Sequence, residues 1–493
     1  MLRKAFIYFL MAAVLPMASC ASSVQEQSRE PHSEEELSGL TISTSSGTYY
    51  HDKFSRREDV RLFVASSEAD ALQAMRQGLS DVYVIGEVLL PVDEQKRLGV
   101  KKVFRGEESF DVAFALRKGN EGLRKELNAF LASAPLEGIL GHWIDGAPDV
   151  PEPEFSLPAD APVLRCITAL NLSPVCFMGE GGEWRGIDPE LLRRFAHATG
   201  RRFQMSFLEL SSALIALKTG QADIISGCLF VTEERQKAAD FSLPYYQCHP
   251  GYYMLDKAAD GRKGLVERIR HNLLTENRWK LIADGLLETV KITLFAILLG
   301  TLLGAGICAC RRSRHSWLRS FADIYGSILE GIPSLVLLLI MFYLVFSRSG
   351  ISSSAVAIIT FALYFASSAG TVFDTALSAV PSGQTEAGLA LGLTRVQTFI
   401  GIVLPQAIPI AAPLFSGQCV ALLKGTSIVG YIAIQDLTRA SDLIRSRTFD
   451  ALVPLLIVTV AYFLLAWLIR VFLNRLLLPR HFNVGNVVQD KRI

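Results

Sequence analysis

Cysteine is the residue type in this sequence with the widest chemical range, so its spacing is the first guide to the chain's chemistry. The sequence has eight cysteines, and none stands in a CxxC or CxxH spacing that would indicate a metal site. Cys308, Cys310 and Cys419 lie in or beside apolar runs, where cysteine is most simply a small packing residue. The sequence also lacks the phosphate-binding motif G-x-x-x-x-G-K-[ST]. We therefore predict no catalytic residue, no metal and no cofactor in this chain.

Charge is unevenly divided about residue 275. The 493 residues carry 49 basic and 48 acidic side chains, and this net charge of +1 gives no reason to expect nucleic-acid binding. Up to residue 275 there are 31 basic and 37 acidic residues, and beyond it 18 and 11, so the two parts have net charges of −6 and +7. The first part has the charge content of a soluble domain, whereas the second is mostly apolar.

The second part contains successive runs without Asp, Glu, Lys or Arg. These runs are 292–310, 331–347, 349–373, 396–423 and 451–469. A helix needs about 20 apolar residues to cross a bilayer core. The pattern predicts about five transmembrane helices. Buried helices of a large soluble protein are the alternative, although a soluble fold would have to enclose all of these runs.

Flanking charge and the N-terminal residues predict the orientation. Arg311 and Arg312 follow the first apolar run and Arg470 and Arg475 close the last, which places both ends in the cytoplasm. The part before the first run is then outside. Residues 1–20 are typical of a signal peptide that ends at Cys20, a candidate for lipidation, with plain cleavage or an uncleaved anchor as alternatives. The predicted location is the cytoplasmic (inner) membrane, with the N-terminal part on the periplasmic or extracellular side.

The exported part contains a repeated unit. Residues 71–82 (ALQAMRQGLSDV) match residues 213–224 (ALIALKTGQADI). Each unit begins as an amphipathic helix, ends at a glycine (Gly78 or Gly220) suited to a left-handed cap, and continues into an apolar strand. This repetition predicts two α/β lobes with mainly parallel sheets. Between them, residues 146–162 hold five prolines and indicate a stiff, extended linker.

The lobes resemble a known family. Residues 163–246, above all G-x-x-x-x-T-x-E-R-x-x-x-x-D-F-S-x-P-Y-Y at 227–246, resemble the first lobe of periplasmic polar-amino-acid-binding proteins. The stretches LTISTSSGTYY, ALQAMRQGLSDVYVIGE and GILGHWIDG, all within residues 40–146, resemble the second lobe. The lobe that resembles the family's second lobe therefore comes first in this chain, which inverts the order found in the family. The simplest interpretation is a circular permutation, in which the linker joins the old termini. Two truncated remnants that no longer bind a ligand are the alternative.

The resemblance implies a set of ligand-binding residues. In the family, an arginine after T-x-E holds the ligand's α-carboxylate, and Arg235 matches it. A guanidinium offers paired donors to a carboxylate, although a surface arginine paired with Asp240 or Glu234 is the alternative interpretation. Thr48 matches a family hydroxyl at a strand-to-helix turn that also meets the carboxylate. The predicted ligand-binding residues are Arg235, Thr48, Gly47, Glu87 and Cys228.

Several positions depart from this family pattern. Gly86 aligns with the aspartate that takes the ligand's α-ammonium group in the family, which leaves Glu87 as a displaced candidate. At four further positions this sequence lacks the aromatic, acidic or hydroxyl residue that is usual in the family, and these positions are Leu172, Leu210, Ala169 and Phe230. The departures predict a more apolar pocket. A less polar amino acid or another small carboxylate fits the pattern nearly as well as a polar amino acid.

A second motif lies between the third and fourth apolar runs. EAGLALGLTRVQTFIGIVLP at 386–405 resembles the EAA loop of ABC import permeases, with E-A-A, three residues, Gly, nine residues and I-x-L-P. Its predicted coupling residues are Glu386, Ala387, Gly388, Gly392 and Pro405, of which only Gly388 departs from the pattern by replacing alanine. In the family this loop forms a short helix and docks on the ATPase. We expect Glu386 in the first helical turn, where the helix dipole favours an acid.

The resemblances imply a domain order. It is a signal peptide at 1–20, a lobe like the family's second at 36–146, a linker at 147–162, a lobe like its first at 163–257, a connector at 258–280, a permease at 281–480 and a cytoplasmic tail at 481–493. The fold class is an α/β bilobed domain like a periplasmic binding protein, followed by an all-α membrane domain of about five helices like a type I ABC importer permease.

These features imply an importer subunit rather than an enzyme. The predicted function is import of a small solute, most simply an amino acid, by a permease fused to its own receptor. The resemblance implies two separate ATPase subunits per assembly, a homodimer formed through the membrane domain, and contact with membrane lipid. A binding-defective receptor that acts as a sensory or regulatory cap is one alternative. A ligand-gated channel is another, although in such channels a pore segment interrupts the two lobes.

Overall fold

A computed structural model describes residues 30–151, 157–179, 182–256, 265–347 and 350–477. The predicted signal peptide with Cys20 and the predicted tail at 481–493 lie outside the described residues. The chain divides into two compact units. One consists of Met1–Ser109 and Cys248–Gly261, and the other of Phe110–Gln247 and Arg262–Ile493.

The first unit, which we call lobe A, is built on a five-stranded sheet. Its strands, numbered along the chain, are β1 (Thr41–Ser45), β2 (Arg61–Ala65), β3 (Val82–Gly86), β4 (Val100–Arg105) and β14 (Pro250–Leu255). Their order is β2-β1-β3-β14-β4. β1 is parallel to β2 and β3, whereas β14 is antiparallel to β3 and β4. Every residue of β3 is buried, as is usual for a strand covered on both faces.

Short helices follow the first three strands of lobe A. They are Tyr49–Ser55, Glu68–Arg76 and Val92–Leu98, and single 3-10 turns lie at Glu35–Leu37 and Glu87–Leu89. In the second of these helices, Ser67 is the N-cap and accepts a hydrogen bond from the backbone N–H of Asp70. Its buried face includes Leu72 and Met75, so this half of the predicted repeat is a helix packed on a sheet.

The second unit begins with another α/β part, residues 110–247, which we call lobe B. Its sheet has the order β10-β7-β11-β6-β12. These strands are β6 (Ala115–Leu116), β7 (Val163–Thr168), β10 (Arg202–Phe207), β11 (Ile224–Ser226) and β12 (Asp240–Phe241). β7 is parallel to β10 and β11, and β6 is antiparallel to β11 and β12.

The remaining elements of lobe B are short. Its other strands are β5 (Phe110–Val112), β8 (Phe177–Met178), β9 (Trp184–Arg185) and β13 (Tyr246–Cys248), the last of which ends one residue inside lobe A. Its helices are Glu121–Ser133, Leu136–Asp145, Ile187–Ala198, Leu210–Thr219 and Glu233–Ala238. The mixed α/β composition of both lobes is the one that the repeat predicts.

The division into units differs from the boundaries taken from the sequence. Sequence analysis assigned 36–146 to one lobe and 163–257 to the other, but residues 110–145 belong to lobe B and β14 belongs to lobe A. Long-range strand pairing is the reason. β6 pairs with β11 and β12, while β14 pairs with β3 and β4. The chain therefore crosses between the units at 109/110, at 247/248 and again at 261/262.

The membrane part follows lobe B within the second unit. Within the described residues, four helices are long and apolar enough to cross a membrane, or five if one bent pair is counted as a single span, in agreement with the prediction of about five. The spans are Trp279–Arg311, the pair Ser316–Gly331 with Ser334–Ile340, then Ser353–Ser378, Leu404–Gly425 and Leu452–Leu477. Further helical segments are Leu265–Leu273, Thr275–Asn277, Met341–Val345, Ser382–Ala390, Arg395–Thr398, Phe399–Val403, Thr426–Ile432 and Leu437–Thr448.

The second span is broken at Pro333. The two halves, Ser316–Gly331 and Ser334–Val345, meet at 103°. Pro333 has no N–H to continue a helical ladder, and Ile332 before it has the extended backbone that a following proline favours (φ −96°, ψ 127°). The apolar run at 331–347 is therefore only the outer half of a bent element.

Small residues allow the first and third spans to pack closely. A Cβ atom on Gly300 would lie 2.8 Å from the carbonyl oxygen of Ala362. A Cβ atom on Gly304 would lie 2.8 Å from the Cβ of Ala369 and 3.0 Å from the carbonyl oxygen of Ala366. Glycines four residues apart are a common way for membrane helices to approach each other. Gly306 serves as a matched reference, because a Cβ atom added there would meet nothing within 4 Å.

We predict that Gly304→Val destabilises the membrane part, whereas Gly306→Val has little effect. The valine at 304 would overlap the backbone of the third span, and such overpacking typically costs about 1–3 kcal/mol. Thermal unfolding of the detergent-purified full chain would measure the difference. Equal shifts for the two variants would contradict the close contact, because both replace a helical glycine by the same residue.

Candidate functional site

Thr48 and Gly47 lie together in the turn after β1. Gly47 has a φ of +75°, a left-handed conformation that favours glycine. The hydroxyl of Thr48 donates to the carbonyl oxygen of Ser45 at 2.7 Å and accepts from the backbone N–H of His51 at 3.3 Å. Thr48 is thereby the N-cap of helix Tyr49–Ser55. The turn has the strand-to-helix form expected from the sequence, and the Thr48 hydroxyl already has three local partners, because the Thr44 hydroxyl also lies 3.2 Å from it.

Glu87 is engaged by two cations of lobe A. It follows β3 directly, and its carboxylate lies 2.9 Å from the Arg105 guanidinium and 3.5 Å from the Lys102 ammonium. A carboxylate paired with two basic groups carries little net charge toward a further cation. The displaced candidate for an ammonium group is therefore largely neutralised by its own lobe.

Gly86 lies against the side chain of a neighbouring cysteine. A Cβ atom on Gly86 would lie 2.9 Å from the Sγ of Cys248, which is fully buried. Cys248 forms no disulfide bond with any cysteine in the described part of the chain. The space that a longer side chain at position 86 would need is therefore filled by a thiol. This packing accounts for the departure from the family pattern at Gly86.

Arg235 and Cys228 lie on one segment of lobe B. Thr232 is the N-cap of helix Glu233–Ala238 and accepts a hydrogen bond from the Arg235 backbone N–H at 3.3 Å. The Arg235 Nη1 donates to the carbonyl oxygen of Phe230 at 3.2 Å. Cys228 has a left-handed backbone with φ +55°. The side chain of Phe230 stacks on Phe110, with ring centroids 4.9 Å apart. Phe230, which departs from the family pattern, is therefore part of an aromatic stacking contact.

A buried carboxylate forms hydrogen bonds that hold the turn before Cys228. Asp188 accepts hydrogen bonds from the backbone N–H of Gly227 at 2.7 Å and from the hydroxyl of Tyr245 at 2.5 Å. Burial raises the pKa of Asp188 to about 6, although these hydrogen bonds oppose the shift. Asp188 thus holds the turn that leads to Cys228, and the sequence analysis did not single it out.

The predicted EAA loop folds as a helix, a turn and a second helix. Glu386, Ala387 and Gly388 lie in helix Ser382–Ala390, and Gly392 reverses the chain with φ +81°. Thr394 and Gln397 then form a capping box at the start of Arg395–Thr398. Pro405 is the second residue of Leu404–Gly425. The helix begins at Ser382, so Glu386 is in its second turn, and the expectation of a first-turn acid was wrong.

The glycine at position 388 is required by its neighbour. A Cβ atom there would lie 2.5 Å from Cγ2 and 2.9 Å from Oγ1 of Thr398, which is fully buried. The two helices of the loop meet at this contact. The change from alanine to glycine therefore compensates for a threonine on the facing helix. Sequence comparison with the pattern shows the departure, but only the packing shows its partner.

A cavity of about 210 Å³ lies among the spans. Its lining includes the polar side chains of Ser334, Tyr364, Ser368 and Gln418, together with Phe361 and Phe365. Polar groups inside membrane helices usually face a cavity or another helix rather than lipid. The sequence analysis missed this cavity, although a glutamine and several serines within otherwise apolar runs were visible.

Two family models match the chain. Residues 164–385 match the bacterial extracellular solute-binding proteins, family 3. Residues 296–482 match the binding-protein-dependent transport system inner membrane component.

Curated relatives match the membrane part. The probable amino-acid ABC transporter permease protein YckA of Bacillus subtilis (strain 168) is 33% identical over 210 residues, which cover 42% of this chain and 92% of the relative. The L-cystine transport system permease protein TcyB of the same strain is 28% identical over 205 residues, with coverages of 41% and 86%. The glutamate/aspartate import permease protein GltK of Escherichia coli O6:H1 is 29% identical over 195 residues, with coverages of 38% and 87%.

The chain belongs to the inner membrane components of binding-protein-dependent transport systems. More narrowly, it is an amino-acid ABC permease that carries a family 3 solute-binding domain on the same chain. It is a multi-pass protein of the inner membrane, as the apolar helices indicate. Membership of this family implies ATPase subunits and an amino-acid ligand as partners. The resemblances drawn from the sequence are thus confirmed at this level.

We predict that Gly388→Ala destabilises the coupling loop and that adding Thr398→Ala restores it. The alanine methyl would overlap Thr398, at a typical cost of about 1–3 kcal/mol, and removing the threonine's γ atoms makes room. Thermal unfolding of the four-member set would give the interaction energy, which is expected to be large because the residues touch. Additive effects of the two changes would contradict this contact. Gly383→Ala, at a position with nothing within 4 Å, is the control.

Proposed function

We propose that this chain imports an amino acid across the inner membrane, driven by ATP that separate subunits hydrolyse. The observation that carries the proposal is the coupling loop, which has the family spacing and a helix-turn-helix form fixed by Gly392 and the Gly388–Thr398 contact. The chain supplies the path and the receptor, and the ATPase supplies the energy. Two ATPase subunits and two copies of this chain form the proposed assembly.

The loop offers a surface suited to a protein partner. Leu391 is 79% exposed and Val396 is 66% exposed, beside Leu389 at 41%. Apolar side chains that are grouped on a water-exposed loop usually mark a protein contact site. By the charge of the flanking segments this loop is cytoplasmic. We propose that these side chains enter the ATPase subunit, with Glu386 and Ala387 on the same helix.

The membrane domain also has surfaces suited to lipid and to a second copy. The inner half of the second span, Ser316–Gly331, exposes Trp317, Phe321, Ile324 and Ile328. These residues are spaced at helical intervals and form one apolar stripe. We propose that the stripes of two copies and the surrounding lipid cover this surface. The cavity lined by Gln418 is proposed as part of the solute's path.

The receptor part is proposed to be a permuted bilobed domain. Its support is the strand order, since β14 from the end of the receptor sequence lies between β3 and β4, and β6 lies between β11 and β12. A permutation leaves such pairings intact while it changes the order of the segments along the chain. We further propose that residues 1–20 direct export and that Cys20 is lipidated.

The solute is proposed to be a small carboxylate, most simply a less polar amino acid. Relatives are named for L-cystine and for glutamate and aspartate, so membership alone leaves the side chain open. Arg235 and Thr48 are the proposed carboxylate-binding groups, with Gly47 and Cys228. Binding of an ammonium group is expected to be weak. Glu87 is already paired with Arg105 and Lys102, and Cys248 fills the space beside Gly86.

We predict that Arg235→Ala lowers solute affinity by at least about tenfold, since a charged hydrogen bond to a ligand is typically worth 1.5–3 kcal/mol. Lys237→Ala removes an exposed cation from the same helix and is expected to leave affinity unchanged. Binding of labelled cystine, glutamate, glutamine and their 2-oxo acid analogues to the detergent-purified full chain would be measured. Binding that survives Arg235→Ala would rule out this pocket, and no binding by the unaltered chain would favour the binding-defective cap.

We predict that Leu391→Asp abolishes ATP-dependent uptake and leaves solute binding intact, because a carboxylate would be buried in the ATPase contact. Leu79→Asp, which places the same charge at a half-exposed leucine of lobe A, is the control. Proteoliposomes that contain the full chain with its ATPase subunit would be assayed for uptake and ATP hydrolysis. Normal coupled uptake by Leu391→Asp would show that this loop is not the energy-coupling contact.

A further inference from the structure

Lobe B contacts the membrane part of the second unit through a helix whose apolar face is buried. This docking helix, Leu437–Thr448, lies between the fourth and fifth spans. Asp436 is its N-cap and also accepts a hydrogen bond from the hydroxyl of Tyr462 in the fifth span at 3.3 Å. The backbone N–H of Leu437 donates to Thr289 of the first span at 3.1 Å. The docking helix is thus fixed to the membrane part from two sides.

The first contact with lobe B is a buried asparagine. Asn171 is 2% exposed, and its Nδ2 donates to the carbonyl oxygen of Leu443 at 2.8 Å and to the hydroxyl of Ser446 at 3.0 Å. Its Oδ1 accepts from the backbone N–H of Met178 at 2.9 Å. Every polar atom of this side chain therefore has a partner, and two of the bonds cross from lobe B to the docking helix. A buried amide satisfied in this way fixes one orientation.

Two arginines of the docking helix stack on aromatic rings of lobe B. The guanidinium carbon of Arg439 lies 4.0 Å from the ring centroid of Phe207, and its Nη2 donates to the Phe207 carbonyl oxygen at 3.1 Å. The guanidinium of Arg447 lies 4.4 Å from the ring of Phe177. Arg439 is only 7% exposed. Stacking of a desolvated guanidinium on an aromatic face is among the stronger cation–π contacts.

A second contact lies at the outer end of the broken span. Tyr343 is 6% exposed and packs in one apolar cluster with residues of lobe B that include Leu208, Ala213 and Leu217. Its hydroxyl donates to the carbonyl oxygen of Ser212 at 3.5 Å. The Nε2 of Gln221 donates to the carbonyl oxygen of Phe342 at 2.8 Å. One apolar cluster therefore spans lobe B and the membrane part, with two hydrogen bonds at its edge.

These contacts have the character of a permanent interface. Receptors that dock and leave use polar, hydrated surfaces, whereas obligate interfaces resemble a domain core divided in two. Here an apolar cluster, a satisfied buried asparagine and a desolvated arginine occur together. Separation of lobe B from the membrane part would expose Tyr343, Asn171 and the rings of Phe177 and Phe207 to water. Two separate contact regions also prevent rotation about either one.

We propose that lobe B is a fixed cap of the permease, docked on the membrane part in every state of the transport cycle. A receptor of this kind is never released from its permease. Docking is then not a rate-controlling step of transport. The proposal does not depend on which solute binds.

The test is the distance between two labels on the full chain in lipid nanodiscs. Labelled unnatural amino acids would replace Lys218 in lobe B and Ser352 at the start of the third span. We expect a single narrow distance population that is unchanged by a millimolar mixture of amino acids and by ATP with the ATPase subunit. A second population, or a shift with solute or nucleotide, would overturn the proposal.

A matched pair of variants would show that the labels report on docking. Asn171→Asp replaces two donated hydrogen bonds with a carboxylate that faces a carbonyl oxygen, so the undocked fraction is expected to rise at least about tenfold. Asn128→Asp is the control, because Asn128 accepts a hydrogen bond from the Leu243 N–H through Oδ1 and a carboxylate can accept the same bond. A distance distribution that is identical for both variants would contradict the assigned contact.

Discussion

Asp436 is the point at which the outer end of the membrane domain is held together. Its two carboxylate oxygens accept from the backbone N–H groups of Thr438 and Arg439 and from the hydroxyl of Tyr462. Burial raises the pKa of this carboxyl to about 6, although the hydrogen bonds act in the opposite direction. Its carbonyl oxygen would lie 2.7 Å from a Cβ on Gly285, so the first span approaches the same residue. This junction fixes the N-terminal end of the docking helix, which contacts lobe B.

The far end of the docking helix is tied down as well. Asp450 accepts from Arg268 and Asn272 of the helix Leu265–Leu273, and Thr448 donates to Asn272 at 2.8 Å. Burial of Asp450 opposes its ionisation, but the Arg268 hydrogen bonds and charge lower its pKa overall. The segment that enters the first span is therefore bound to the same helix as lobe B. The third span, which packs on the first through Gly300 and Gly304, leads directly to the coupling loop.

Three of the positions that depart from the family patterns lie against particular neighbours. Gly388 faces Thr398, Gly86 faces Cys248 and Phe230 stacks on Phe110. In each case the altered residue is part of a packed contact. Protein interiors are dense enough that a change of one methyl group is felt by its neighbour. The contact between Gly388 and Thr398 holds the two helices of the coupling loop together. The contact between Gly86 and Cys248 fills the space that an acidic side chain at position 86 would need.

The sequence by itself determined the features that rest on local patterns. Charge-free runs of helical length indicated the spans, the spacing from Glu386 to Pro405 identified the coupling loop, and the motif around Arg235 identified the receptor family. Each of these is encoded within some twenty residues, so it is readable without knowing what packs against it. The lobe boundaries, the bend at Pro333 as a break within a span, and the neutralisation of Glu87 by Arg105 were not readable in this way. They depend on residues distant in sequence.

Only the tertiary structure decided how the two halves of the chain are joined. The strand β6 belongs to lobe B and β14 to lobe A because backbone hydrogen bonds are formed with strands more than a hundred residues away. Asn171, Arg439 and Tyr343 are unremarkable as sequence, and their meaning arises from burial against partners in another domain. A pattern along the chain records which face of an element is apolar. It does not record which distant surface covers that face, since many surfaces satisfy the same pattern and packing selects one.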